Sequence, residues 1–397
     1  MDKSTNVSNG LIGLLALMCG VSIASAYYAQ PLLGEIGRAF GMPDSVSGTI
    51  PMYSQLGIAI GALLFLPLGD IVDDRKLVLS MGIAHVVALV AVALAPTAPS
   101  LLGAMALMGL TTVTPYLLPA YAAKIVSPER RGHVTGLLAR GIFAGILLAR
   151  TASGYIGHVF TWNTIYWMAS VLMVAMTVLL AKQMPSTPPK SEVRYVKLLA
   201  SLLTVFREQP QLRYAAARQG LMFGAFNAFW ISLVFLLEGR AFRMGSDTAG
   251  LFGVVGVAGA FAAPLFGKLA DRRGPLFSVR IGTATATFSW LILAAFGHSI
   301  VGLTIGVLLL DLGVTASHVS NQAIIYQLGQ EIRGRVSTIY ILGLFVGGSV
   351  LSGLTALVWA QFGWLGVCAL GIMACGGALA IGLAETGRDA VVPQPAA

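Results

Sequence analysis

The sequence predicts an all-α membrane protein with twelve transmembrane helices in two pseudo-symmetric six-helix bundles. Three observations predict it. First, 56% of the 397 residues are hydrophobic and only 10% are charged. That is too little charge to cover a soluble protein of this size. Second, apolar runs of roughly 20 residues, the length that crosses a bilayer, recur along the chain. Third, the chain repeats itself. Asp70 and Asp271 lie 201 positions apart. Arg131-Gly132 and Arg333-Gly334, Phe40 and Phe242, Gly48 and Gly250, and Trp162 and Trp364 are each 202 apart. A shift this constant marks an internal duplication.

Spans are expected near 11–33, 46–69, 77–96, 99–122, 133–157 and 162–183, then 213–237, 247–267, 277–297, 299–325, 336–360 and 362–384. Six spans per half give an N-terminal bundle over 1–183, a linker over 184–212 and a C-terminal bundle over 213–397. Ala24-Ser25-Ala26 resembles a signal-peptidase site. Leu11 to Leu33 is long enough to cross, and eleven further spans follow, so it reads as a retained helix. In the linker, Pro185, Pro188 and Pro189 precede a stretch, Val193 to Phe206, with the pattern of an amphipathic surface helix. The tail from Ala384 to Ala397 reads as disordered.

The formal net charge is +9, and its distribution matters more than its sum. Nineteen Lys and Arg residues fall on the termini and the even-to-odd connections, against three, Arg38, Arg240 and Arg243, on the opposite side. The positive-inside rule then puts both termini in the cytoplasm. The basic balance is topology and implies no nucleic-acid partner. Cys19, Cys368 and Cys375 all fall within spans without metal-ligand spacing, so they read as packing residues. No metal cluster, phosphate-binding glycine loop or nucleophilic triad is present in the pattern. ATP drive and a cofactor are therefore not expected, and neither is an enzyme.

The connection Gly267-Lys268-Leu269-Ala270-Asp271-Arg272-Arg273-Gly274 and its earlier copy around Asp70 and Arg75 resemble the loop motif of the major facilitator superfamily. The Arg-Gly pairs at Arg131 and Arg333 resemble a second recurring element of it. On these motifs the chain is identified as a member, over about residues 10 to 385. The first-half loop departs from the pattern, with Asp73 and Asp74 where the family usually has Gly and Arg. The resemblance implies a twelve-helix secondary transporter whose spans 1, 4, 7 and 10 line a central cavity. Asp70, Arg75, Arg131, Asp271, Arg272, Arg273 and Arg333 would be elements of a cytoplasmic gate.

Site candidates follow span by span. The first span ends in Tyr27-Tyr28-Ala29-Gln30-Pro31. Its aromatics suit an interfacial belt or a cavity wall, and the run resembles the first-span ending of bacterial efflux permeases. The fourth span carries Tyr116 between Pro115 and Pro119, the pattern of a plain kink or of a discontinuous helix at a substrate site. It lacks the arginine that drug-exporting relatives often carry there. The fifth span holds Arg140 and Arg150, and an intramembrane arginine must face water or a partner. The run around Arg150 resembles a block in sugar- and drug-efflux permeases, and Gly141 and Gly145 suit close helix packing.

In the seventh span Phe223, Phe226, Asn227 and Trp230 share a helical face that suits an amphipathic ligand or lipid. In the tenth, Asp311, Thr315, His318 and Gln322 share another, with Asn321 adjacent. The expected roles are proton coupling for Asp311, His318 and Arg150. Ligand contact falls to Tyr27, Tyr28, Gln30, Tyr116, Phe223, Phe226, Asn227, Trp230, Thr315, Asn321 and Gln322. The protein is expected to be a monomer in a bacterial inner membrane that exports a small amphipathic, drug-like or sugar-like molecule. The alternatives are an importer or uniporter of an organic anion and, from another class, a membrane receptor or enzyme.

Overall fold

The computed structural model describes residues 8–189 and 193–385. The expected disordered tail, apart from Ala384 and Glu385, lies outside those residues. Among the described residues the secondary structure is helical throughout: α1 (Asn9–Ala24), α2 (Leu33–Phe40), α3 (Asp44–Ser47), α4 (Ile50–Phe65), α5 (Asp74–Ala93), α6 (Ala98–Thr111), α7 (Thr114–Ile125), α8 (Pro128–Val159), α9 (Thr164–Gln183), α10 (Tyr195–Glu208), α11 (Pro210–Glu238), α12 (Ser246–Val255), α13 (Val257–Arg273), α14 (Pro275–Phe296), α15 (Ile300–Tyr326) and α16 (Arg333–Ala384).

Local chemistry sets many of the boundaries. Proline stands in the first turn of α6, α7, α8, α11 and α14, where its missing N–H costs nothing. The Thr97 and Ser100 side chains close a capping box at the start of α6. Asp73 caps α5 by accepting from the Lys76 N–H at 3.0 Å.

Ten stretches among the described residues are long and apolar enough to cross a membrane. They agree with the twelve expected spans once two breaks are recognised. The longest stretch, α16, covers the last two expected spans and turns at Gly363, with φ 59° and ψ −151°. That left-handed conformation is open to glycine at little cost. The eighth expected span is divided between α12 and α13 by Gly256. The first expected span also continues further than predicted. After α1 the chain tightens into two short 3₁₀ turns, Ser25–Tyr27 and Gln30–Leu32, and resumes as α2. Pro31 has no N–H to give the Tyr27 carbonyl, so the α-helical ladder fails there.

The chain divides into two compact units. Unit 1 comprises Met1–Pro43, Tyr53–Lys197 and Met244–Val254; unit 2 comprises Asp44–Met52, Leu198–Arg243 and Val255–Ala397. Two short segments thus cross the linear boundaries expected from sequence. The first belongs to unit 2 through close packing. A Cβ on Gly48 would lie 3.1 Å from the Ala356 methyl and 3.4 Å from the Phe235 ring. Ser349 also donates to the Met52 carbonyl at 3.1 Å.

Within each unit a corresponding helix pair is tied at both ends. In unit 1 Asn163 of the turn before α9 donates to the Ala93 carbonyl of α5 at 3.2 Å, and Arg75 of α5 donates to the Ala181 carbonyl of α9. In unit 2 Trp364 of α16 donates to the Leu293 carbonyl of α14 at 3.0 Å, and Arg280 of α14 donates to the Gly382 carbonyl at 2.8 Å. Each tie satisfies a helix-terminal carbonyl that has no intrahelical partner.

Candidate functional site

In unit 1 the site is built where α8 presses against α1. A Cβ on Gly20 would stand 2.7 Å from the Gly141 carbonyl oxygen, and one on Gly145 would run into the Gly20 backbone. Only glycine on both helices permits that approach. It brings the broken end of the first span alongside the upper part of α8. There the Arg150 side chain is buried, its Nε donating to Gln30 Oε1 at 2.7 Å. Its guanidinium carbon lies 4.8 Å from the centre of the Tyr27 ring, within cation–π range. Tyr28 is buried edge-on against Tyr166, with ring centres 5.9 Å apart. Arg150 is thus held by a neutral amide and a ring face, an arrangement that keeps a cation inside the membrane. Arg140, by contrast, is exposed on the same helix.

The fourth span is broken between α6 and α7, where Thr112 has φ −78° and ψ 49°. Pro115 cannot donate to the Thr111 carbonyl, and the helix restarts. The Thr111 and Thr112 hydroxyls donate back to the Met108 carbonyl at 2.9 and 2.7 Å. His85 packs against this break, its Nδ1 2.9 Å from Thr111 Oγ1. Tyr116 is half-buried in the first turn of α7.

In unit 2 the aromatic face of α11 forms a continuous array. Phe223 and Phe226 stack at 6.1 Å, and Phe226 meets Trp230 at 6.0 Å. Phe345 of α16, not expected from sequence, joins Phe223 edge-on at 5.4 Å. Asn227 donates to the Phe223 carbonyl of its own helix at 2.8 Å. On α15, Asp311 is buried while Thr315, His318 and Gln322 are half-buried. The Tyr340 hydroxyl lies 3.0 Å from His318 Nδ1.

Asn321 has a different setting from its neighbours. Its Oδ1 accepts from Arg218 Nε and Nη2 at 3.2 and 2.8 Å, and its Nδ2 donates to Ser317 Oγ and Gln219 Oε1 at 3.1 and 3.4 Å. Arg218 Nη1 reaches Glu385 to complete the network. Both amide ends of Asn321 are engaged in this buried cluster. The reason lies on α11, where Arg218 and Gln219 face it.

The profile of the Major Facilitator Superfamily matches residues 14–352. The chain belongs to the major facilitator superfamily. This transporter is 37% identical to the "uncharacterized transporter YgaY" of Escherichia coli O157:H7 over 92% of its own length and 93% of that protein. It is 26% identical to a "probable sugar efflux transporter" of Mannheimia succiniciproducens, covering 89% of each chain. Its fold matches the crystal structure of a D-xylose–proton symporter with a TM-score of 0.72 at 15% identity, over 92% of this chain and 96% of that one. The protein is therefore a multi-pass membrane transporter and not an enzyme.

The two loop copies of this facilitator differ in structure. In the second half the motif is the helical end of α13, and Gly274, at φ 87°, turns the chain into α14. Asp271, Arg272 and Arg273 are exposed there, and Arg273 lies 5.3 Å over the Phe277 ring. Arg333 is likewise exposed and lies 5.2 Å over Tyr326. Asp70 and Arg131 are exposed in the first half.

The first-half loop carries instead a buried acid that the sequence reading did not assign a role. Asp74 receives Lys124 Nζ at 2.8 and 3.0 Å and the Thr187 hydroxyl at 2.7 Å. Asp73 beside it accepts from the Ser186 hydroxyl. Burial alone would raise the Asp73 carboxyl pKa. The hydrogen bonds from Ser186 and from the backbone N–H groups of Lys76, Thr187 and Arg75 outweigh it and hold the group below its ordinary value. The Tyr121 hydroxyl donates to the Pro185 carbonyl at 3.2 Å. The start of the linker is thus fastened to unit 1.

Proposed function

We propose that this transporter is a proton-driven exporter of a small amphipathic compound, drug-like or sugar-like, working by alternating access in a bacterial inner membrane. The observation that carries the reading is the buried carboxyl of Asp311 within a membrane-spanning helix, on one face with Thr315, His318 and Gln322. An intramembrane carboxyl is costly to keep and marks a proton or ion path by default. In this reading Asp311 carries the proton, His318 assists from its place beside Tyr340, and Arg150 balances the charge. Tyr27, Tyr28, Gln30, Tyr116, Phe223, Phe226, Asn227, Trp230, Thr315, Asn321 and Gln322 contact the ligand, the aromatic rings taking its apolar part. Asp70, Arg75, Arg131, Asp271, Arg272, Arg273 and Arg333 serve the cytoplasmic gate. The outward direction draws support from the first-span and fifth-span resemblance to efflux permeases and from the relative named for sugar efflux.

The test is Asp311→Asn in proteoliposomes under an imposed pH gradient. Gradient-driven accumulation should vanish while substrate counterflow persists. A variant that still concentrates substrate against its gradient removes the proton role from Asp311. The buried guanidinium of Arg150 favours one second reading, transport of an organic anion. Flux measured in right-side-out and inverted vesicles with anionic and neutral candidates separates the two.

A further inference from the structure

Helix α10 presents an apolar stripe that the described residues leave exposed. Leu202 and Val205 are buried against the rest of the chain, whereas Val196, Leu203 and Phe206 are 74%, 50% and 40% exposed. With Leu199, these residues stand at positions 0, 3, 7 and 10 along the helix, one stripe beside the buried face. Thr204, Lys197 and Glu208 occupy the opposite flank. From residue 193 to 213 the chain carries Arg194, Lys197, Arg207 and Arg213 against a single acid, Glu208. All four basic residues are exposed.

The ends of the helix fix its level in the bilayer. The Tyr195 hydroxyl donates to the Leu64 carbonyl at 2.7 Å, at the end of α4. Arg213, in the first turn of α11, donates to the Arg207 carbonyl at 3.0 Å. Leu64 lies in the last two turns of the stretch Asp44–Asp70 and Arg213 in the first turn of Pro210–Glu238, so both anchor points are near span ends, which sit toward headgroup depth. A helix held there, with aliphatic and aromatic groups on one stripe and guanidinium and ammonium groups around it, has the chemistry of an interfacial helix on an anionic surface.

We infer that α10 is a lipid-binding element, whose Val196, Leu199, Leu203 and Phe206 stripe inserts into the bilayer interface while Arg194, Lys197, Arg207 and Arg213 hold anionic lipid headgroups. The inference is independent of substrate, direction and coupling. A soluble protein partner fits less well, because the stripe is narrow and is bordered by exposed basic groups.

The experiment is spin labelling of the full-length protein in vesicles. Cys19, Cys368 and Cys375 are buried, so a label placed by Leu203→Cys reports alone, with Thr204→Cys as its partner on the polar flank. Both sites are exposed, and the changes leave the core intact. In vesicles containing phosphatidylglycerol, the label at 203 should collide more with oxygen than with a water-soluble nickel complex. The label at 204 should show the reverse. The immersion at 203 should lessen in vesicles of phosphatidylcholine alone. The double change Lys197→Glu with Arg207→Glu should remove that dependence on lipid charge. Equal water exposure at 203 and 204 would overturn the inference. So would shielding of 203 from both reagents, which would mean a protein segment covers the stripe, or immersion indifferent to lipid charge.

Discussion

The two halves of this transporter descend from one repeat, yet their basic ends are held by different charges. In unit 1 the ion pair joins Asp74, at the start of α5, to Lys124, in the last turn of α7. In unit 2 the position matching Asp74 is Pro275, the loop acid Asp271 is exposed, and the buried pair is Arg218 with Glu385 at the end of α16. A tie between the corresponding helices is found in both, Arg75 to Ala181 and Arg280 to Gly382, although the repeat does not match the two donors. Backbone architecture has been kept while the electrostatics were redistributed. A backbone tie needs only a donor near a helix end, whereas a buried charge needs a matched partner and good geometry. The first-half loop is part of the linker attachment, and the second-half loop keeps Asp271, Arg272 and Arg273 exposed.

This comparison is open to attack through mutation, and the largest effect belongs to unit 2. Glu385→Ala leaves the wholly buried Arg218 with Asn321 alone. Thermal or denaturant unfolding of the purified protein should show a loss of about 3–5 kcal/mol, the usual cost of orphaning a buried charge. Asp74→Asn should cost less, about 1–3 kcal/mol, because Lys124 retains 20% side-chain exposure and the Gly69 carbonyl at 2.9 Å. An equal loss in the two variants would erase the proposed difference between the halves.

Asp271→Asn should change stability by less than about 0.5 kcal/mol, as exposed substitutions do. If the loop serves the gate, it should nonetheless lower transport measured in proteoliposomes. Asp73 gives the smallest effect. Its folded carboxyl holds a proton less tightly than the unfolded one. Its contribution is therefore present above the ordinary carboxylate range and is lost as pH falls through and below that range. Melting points recorded from pH 3 to 6 should fall slightly less steeply for Asp73→Asn than for the wild type.

Much of the fold was legible because bilayer physics is written in long apolar runs, and the repeat was legible in pairs such as Trp162 and Trp364. The breaks were harder. Pro31 and Pro115 announced theirs, but Gly363 sits in an apolar stretch where glycine is common, and only its positive φ identifies the turn. A buried charged group was readable where the residue type is unusual in its setting, as with Arg150 and Asp311. Arg218 was missed although it lies inside an expected span. Its nearness to the basic end made it resemble topology charge, and its partner Glu385 sits 167 residues away. Asp74 was overlooked because the motif draws attention to Asp70. Which acid of a loop is buried depends on Lys124 and Thr187, which no local pattern connects to it.

The long separation between Arg218 and Glu385 bears on how the protein is made. At a synthesis rate of 5–20 residues per second, the 167 residues between them take roughly 8–33 s to emerge. For that interval the arginine of the seventh span lacks its carboxylate partner. Arg218 is in the third turn of α11, near enough to the span's end to reach headgroups with its long side chain while it waits. Unit 2 therefore cannot complete this pair until Glu385 has emerged.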